Sequence, residues 1–209
     1  MAKIDRKKQI MTESLILFSE RGYDGVSMRD IARQVGVRES ALYKHFENKL
    51  ALENYIIGMM KVYCSEIVNE IRTSVGSNVC EIAEKYINEG VNVLKKQCVE
   101  FFLFWYKDEQ AVQFRRLLIQ ERFRHPKAGR ILRDFLEVGV LEYLSELFKE
   151  MIKLGYFKEL DSELLAWQFY APLYLLLDKY ENKVEMEEMA VKQLERLIES
   201  FDATYRKES

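Results

Sequence analysis

Proline, glycine and histidine are scarce in this chain, at two, nine and two of 209 residues. With few breakers and no run of alternating apolar and polar residues, long helices are favoured over strands. The two histidines, His45 and His125, lie far apart. No glycine-rich phosphate loop, nucleophile elbow or His-Glu metal motif accompanies them, so neither an enzyme nor a cofactor is expected. Cys64, Cys80 and Cys98 are odd in number and widely spaced, which argues against a disulfide framework and a metal site. Reduced, mostly buried thiols are expected. No apolar run approaches the roughly 18 residues of a membrane span. Residues 1–8, Met-Ala-Lys-Ile-Asp-Arg-Lys-Lys, carry no apolar signal-peptide region, so a cytoplasmic location is expected.

Apolar residues make up 48% of the chain and charged residues 32%, the composition of a globular protein rather than a disordered one. The net charge of −2 hides an asymmetry: residues 1–50 carry +3 and residues 51–209 carry −5. A positive excess at one end suits contact with phosphates there.

That end contains the most informative stretch, Ser27 to Phe46. Ser27 is a good N-cap with Asp30 three residues on, close to a capping box, and Gly36 falls where a first helix must turn. Leu42 and Phe46, four apart, share one face of a second helix and leave Arg38, Glu39, Ser40, Tyr43 and Lys44 on the others. Upstream, Ile10, Ser14, Leu17 and Phe18 form one stripe of a helix that Asp5 caps and Gly22 ends. Three short helices around a small core, the last two joined by a tight turn, make a helix-turn-helix head.

Ile10, Phe18, Gly22-Tyr23, Ser27, Ile31-Ala32, Gly36-Val37, Leu42-Tyr43-Lys44-His45-Phe46 and Asn48-Lys49 together resemble the TetR family of bacterial transcription regulators. The resemblance covers about the first 50 residues. It implies an all-α protein: a three-helix head at 1–47 and a larger helical ligand-binding and dimerisation domain at 48–209. By position, it implies DNA contacts from Ser27 and Arg29 at the start of the first helix of the motif. Arg38, Glu39 and Ser40, opening the recognition helix, are expected at base edges, where arginine pairs with guanine and glutamate accepts from cytosine. Tyr43 and His45 match phosphate-contacting positions, and Lys44 reaches a base or a phosphate. Lys49 starts the next helix, where its dipole also favours phosphate. Lys3, Arg6, Lys7 and Lys8 form a basic arm, either a phosphate contact or a solvated cluster. The usual Ser or Thr cap of the recognition helix is replaced by Arg38, and Glu39 would be repelled by phosphate unless a base amino group meets it.

Beyond the head, a long helix is expected over 48–75, capped by Asn48 and acting as a lever into the second domain. Further helices are expected at 79–96, 99–107, 110–123, 127–154, 161–180 and 185–205. The last two should form an antiparallel hairpin that pairs with its twin in a homodimer. Leu164, Leu165, Gln168 and Leu175, or Leu194, Leu197, Ile198 and Phe201, are its candidates if they do not simply build the monomer core. Phe101, Phe104, Trp105, Trp167, Tyr170 and Tyr174 are the candidates to line a pocket for a hydrophobic or planar effector; the alternative is plain core. Arg115, Arg116, Glu121 and Arg122 either add a charged group to that pocket or form a solvated face. The expected function is a ligand-responsive repressor that binds a palindromic DNA operator as a dimer, with no membrane partner. The alternative is a helical protein–protein interaction module whose helix-turn-helix is only packing.

Overall fold

The computed structural model describes residues 5–207 as eleven α-helices, with an isolated antiparallel bridge between Phe157 and Arg206 and no strand among the described residues. The chain forms two compact units: the described residues up to Ser65 with Asp108–Leu132, and Glu66–Lys107 with the described residues from Arg133 onward. Counted by unit, the charge asymmetry is larger than a cut at residue 50 suggests. The first unit sums to +6 and the second to −8.

In the first unit, α1 (Arg6–Arg21) starts where the Asp5 carboxylate accepts from the backbone N–H groups of Lys7 and Lys8. It stops at Gly22, whose φ of +71° an L side chain would resist. Its expected stripe of Ile10, Ser14, Leu17 and Phe18 is buried. α2 (Met28–Val35) carries a complete capping box: Ser27 Oγ accepts from Asp30 N–H, and the Asp30 carboxylate accepts from Ser27 N–H. Those hydrogen bonds hold the Asp30 carboxyl below its ordinary pKa, so the cap is lost only as pH falls through that lowered value. Gly36 ends α2 in the left-handed conformation. α3 (Glu39–Leu42) is shorter than the sequence suggests. The helix gives way to a turn at Tyr43–His45, although Phe46 N–H still bonds the Leu42 carbonyl at 2.9 Å, and both side chains are buried. α4 (Lys49–Thr73) begins in this unit, and its residues from Glu66 belong to the second. α7 (Glu109–Glu121) packs along α1. Fully burying residues such as Phe18, Ile31 and Leu42 contributes about 1.5–3 kcal/mol each.

The second unit is built from α5 (Val79–Glu89), α6 (Asn92–Lys107), α9 (Val138–Lys153), α10 (Ser162–Lys179) and α11 (Glu187–Tyr205). α8 (Pro126–Leu136) begins in the first unit and ends in the second. Phe148, Phe169 and Phe201 form an aromatic core with ring centroids 4.9–5.5 Å apart, and Phe157 closes on it. The buried Asp202 carboxylate accepts from the Tyr86 and Tyr156 hydroxyls.

Two expected boundaries are corrected. The helices at 79–96 and 99–107 are divided instead at Gly90, whose φ of +78° and N–H bond to the Tyr86 carbonyl end α5 there. The single helix at 127–154 is two, α8 and α9, broken at Glu137 (φ −129°, ψ −101°). A Cβ on Gly139 would lie 2.1 Å from the Asp134 carbonyl oxygen, so the backbone closes at this break only around a glycine. Pro172 sits inside a continuous α10. The thiols stay unpaired, but Cys80 is exposed, which corrects the expectation for that residue.

Candidate nucleic-acid interface and effector cavity

Ser27, Arg29, Glu39, Tyr43 and Lys49 line one shallow, open groove at the start of α2. Arg38, Ser40, Lys44 and His45 are exposed outside it, on and just after α3. Arg38 occupies the cap position of α3 without a side-chain capping bond, which leaves its guanidinium free of that role. Glu39 is paired with Arg29 across the motif at 3.6 Å. This pair offsets the repulsion a lone carboxylate would have for phosphate, and sequence reading missed it because the partners lie on different helices. Of the basic arm, Lys3 lies outside the described residues, and Lys7 packs its ammonium over the Tyr55 ring at 4.2 Å.

Lys49 departs most from its expected place. Its ammonium donates to the Tyr23 and Val26 carbonyls, both at 2.9 Å, and sits 3.9 Å from the Tyr23 ring centroid. Two of its three protons therefore hold the turn that precedes Ser27, and only the third can face a phosphate. The other face of the clamp comes from the end of α7. The Arg124 guanidinium lies 4.1 Å from the Tyr23 ring centroid and donates to both Glu53 and Glu121. Glu121 also accepts from Tyr23 N–H at 3.1 Å. Glu53, on α4, is fully buried; its Oε2 has no hydrogen-bond partner among the described residues. Burial first, then the neighbouring Glu121, pushes its carboxyl up to about 7 despite Arg124. Arg115 and Glu121, expected in the pocket or on a solvated face, are instead buried in the first unit.

The second unit holds a partly open apolar cavity of about 120 Å³. Of the expected lining, Phe101, Tyr170 and Tyr174 are on its wall, joined by Phe102, Phe135 and Phe169. Phe104 and Trp105 are buried but off the wall, and Trp167 is 59% exposed on α10. The aromatic spacing of 101–106 could not separate wall from core, because one helix turn shows both faces. The Tyr170 hydroxyl donates to the Leu136 carbonyl at the α8–α9 break. Tyr143 donates to Gln97 Oε1, and Gln97 Nε2 donates to the Arg72 carbonyl. Burial pushes the Cys98 thiol, also on the wall, up to about 12 and keeps it protonated.

A capped two-helix motif on a positively charged unit defines a helix-turn-helix DNA-binding domain. Residues 10–56 match the family of bacterial regulatory proteins known as the tetR family. The biofilm operon icaADBC negative transcriptional regulator IcaR of Staphylococcus aureus is 34% identical over 62 residues, 30% of this chain and 33% of IcaR. The chain thus matches about a third of the length of that relative. Among solved structures, the ketosteroid transcriptional regulator KstR2 of Mycobacterium tuberculosis superposes with a TM-score of 0.69 at 18% identity, covering 99% of this chain and 97% of KstR2. SmeT in complex with triclosan gives 0.65 at 17% identity, covering 98% and 93%; SmeT is the repressor of a Stenotrophomonas maltophilia multidrug efflux pump. Among the described residues, no helix is long and apolar enough to cross a membrane.

Proposed function

We propose that this protein is a ligand-responsive transcriptional repressor in the cytoplasm that binds a palindromic DNA operator as a homodimer and is released by a small apolar effector. The observation that carries the reading is the capped helix-turn-helix with Arg38, Ser40, Tyr43, Lys44 and His45 all exposed at α3. Residues 1–47 read the DNA; residues 48–209 hold the effector and the twin subunit, with 48–75 connecting them. Arg38 and Ser40 address base edges; Arg29, Tyr43, Lys44 and His45 address base edges or phosphates. IcaR and SmeT are both described as negative regulators or repressors, which supports the sign, and the SmeT–triclosan complex supports a small-molecule input.

The dimer forms through α10 and α11. Leu164, Trp167, Ala171 and Leu175 stand exposed along one face of α10, at helical spacing. Of the other candidates, Leu165, Leu194, Ile198 and Phe201 are buried within the subunit and belong to its core, while Gln168 is exposed and Leu197 half-buried. Leu175→Arg is expected to leave a folded monomer by sedimentation while cutting operator affinity by more than ~10-fold, since a single head makes half the contacts. The effector acts by population shift: it must favour the released conformation by several kcal/mol to move occupancy from mostly bound to mostly free. Selection from random duplex DNA tests the reading. A twofold-symmetric sequence, displaced by an apolar ligand, is the expected product. Recovery of no preferred sequence would count against it.

A further inference from the structure

We infer that the cavity of the second unit selects an uncharged, single-ring apolar effector and rejects its anionic analogues; this rests on the ligand-responsive reading above. Size sets the first limit. At about 120 Å³ the space is close to that of an apolar cavity of roughly 150 Å³ that stays dry and takes benzene. Its wall is aromatic and aliphatic, with Phe101, Phe135, Val140, Phe169 and Leu173 among the lining residues.

Polarity sets the second limit. Three polar side chains of the wall are already hydrogen-bonded. Tyr170 is bound to the Leu136 carbonyl at 3.0 Å, Tyr143 to Gln97 at 3.2 Å, and Gln97 to the Arg72 carbonyl at 3.2 Å. A carboxylate that drew on Tyr170, Tyr143 or Gln97 would have to break one of these bonds, and a poorly paired buried charge is costly. The two charged wall residues, Arg72 and Asp134, are exposed and opposite in sign, and the Arg72 guanidinium is laid over the Tyr143 ring at 4.5 Å. A net field favouring an anion is therefore absent from the described wall. Cys98 adds no charge, because its thiol stays protonated.

The test is a pair of ligands of equal heavy-atom skeleton, isobutylbenzene and phenylacetate, titrated calorimetrically into the full-length protein. Release of labelled operator is read in parallel by fluorescence anisotropy. Isobutylbenzene is expected to bind at least ~100-fold more tightly than phenylacetate. Val140→Phe and Cys98→Leu fill the cavity from two sides. Each variant that keeps the wild-type circular dichroism melt is expected to lose isobutylbenzene binding. Phenylacetate binding as tightly as isobutylbenzene, and losing affinity on Arg72→Gln, would overturn the inference in favour of an anion site. Failure of both ligands to bind, or undiminished binding by folded Val140→Phe and Cys98→Leu, would overturn it as well. Isobutylbenzene binding without release of operator would leave the selectivity standing and contradict the ligand-responsive reading instead.

Discussion

Replacing Arg124 by alanine is expected to destabilise the first unit by roughly 2–4 kcal/mol and to weaken operator binding, although Arg124 is not among the residues proposed to touch DNA. Removing one partner of a fully buried ion pair costs about 3–5 kcal/mol, and the figure is reduced here because the Arg124 side chain is 37% exposed. What remains after the change is the buried pair Glu53 and Glu121 without their shared cation. The loss should therefore depend on pH. The Glu53 carboxyl is raised above its unfolded value, so its favourable contribution is complete below about pH 4.5 and is lost as pH rises through about 7. Arg124, Glu121 and Lys49 are the charged groups that set it. Arg124→Ala should be milder at pH 5 than at pH 8. Glu53→Gln should do the opposite of a simple lesion, gaining stability relative to the unsubstituted protein by roughly 3 kcal/mol between pH 5 and pH 8. Hydrogen exchange of α1, α4 and α7 amides at the two pH values reads both effects. A pH-independent difference between Glu53→Gln and the parent would refute the buried-carboxylate account.

Lys44→Ala and Lys49→Ala are expected to weaken operator binding by different routes. Lys44 is exposed and makes no hydrogen bond or ion pair among the described residues, so its removal should change stability by no more than about 0.5 kcal/mol. If it meets a phosphate in each half-site, the slope of log affinity against log salt becomes less steep by about 1.8 for the dimer. Lys49→Ala strips the Tyr23 and Val26 carbonyls of their donor and loosens the turn before the Ser27 cap. It should cost about 1–3 kcal/mol of stability. Its salt slope should change less than its affinity, because the defect is in positioning the motif. Equal stability for the two variants would contradict the placement of Lys49.

The head was legible because its signals are local. Asp5, Gly22, Ser27 with Asp30, and Gly36 each act within a turn of chain, and the structure uses each in the expected role. The clamp was not legible. Tyr23, Lys49, Glu53, Glu121 and Arg124 come from three separated segments, and nothing in their spacing announces that they meet. The same limit applied to the aromatic residues. Helical periodicity groups Phe101, Phe104 and Trp105, but only packing against other helices puts Phe101 on the cavity wall and Trp105 in the core. The break at Glu137 carried a faint signal in Gly139, outweighed by the apolar periodicity that runs through both helices.

The salt dependence of binding to the selected operator bears most directly on the DNA-reading role. A dimer making roughly 8–12 phosphate contacts should lose affinity with a log–log slope near −7 to −11. An affinity that hardly changes between low and moderate salt would contradict the phosphate-contacting helix-turn-helix, and with it the function proposed for this protein.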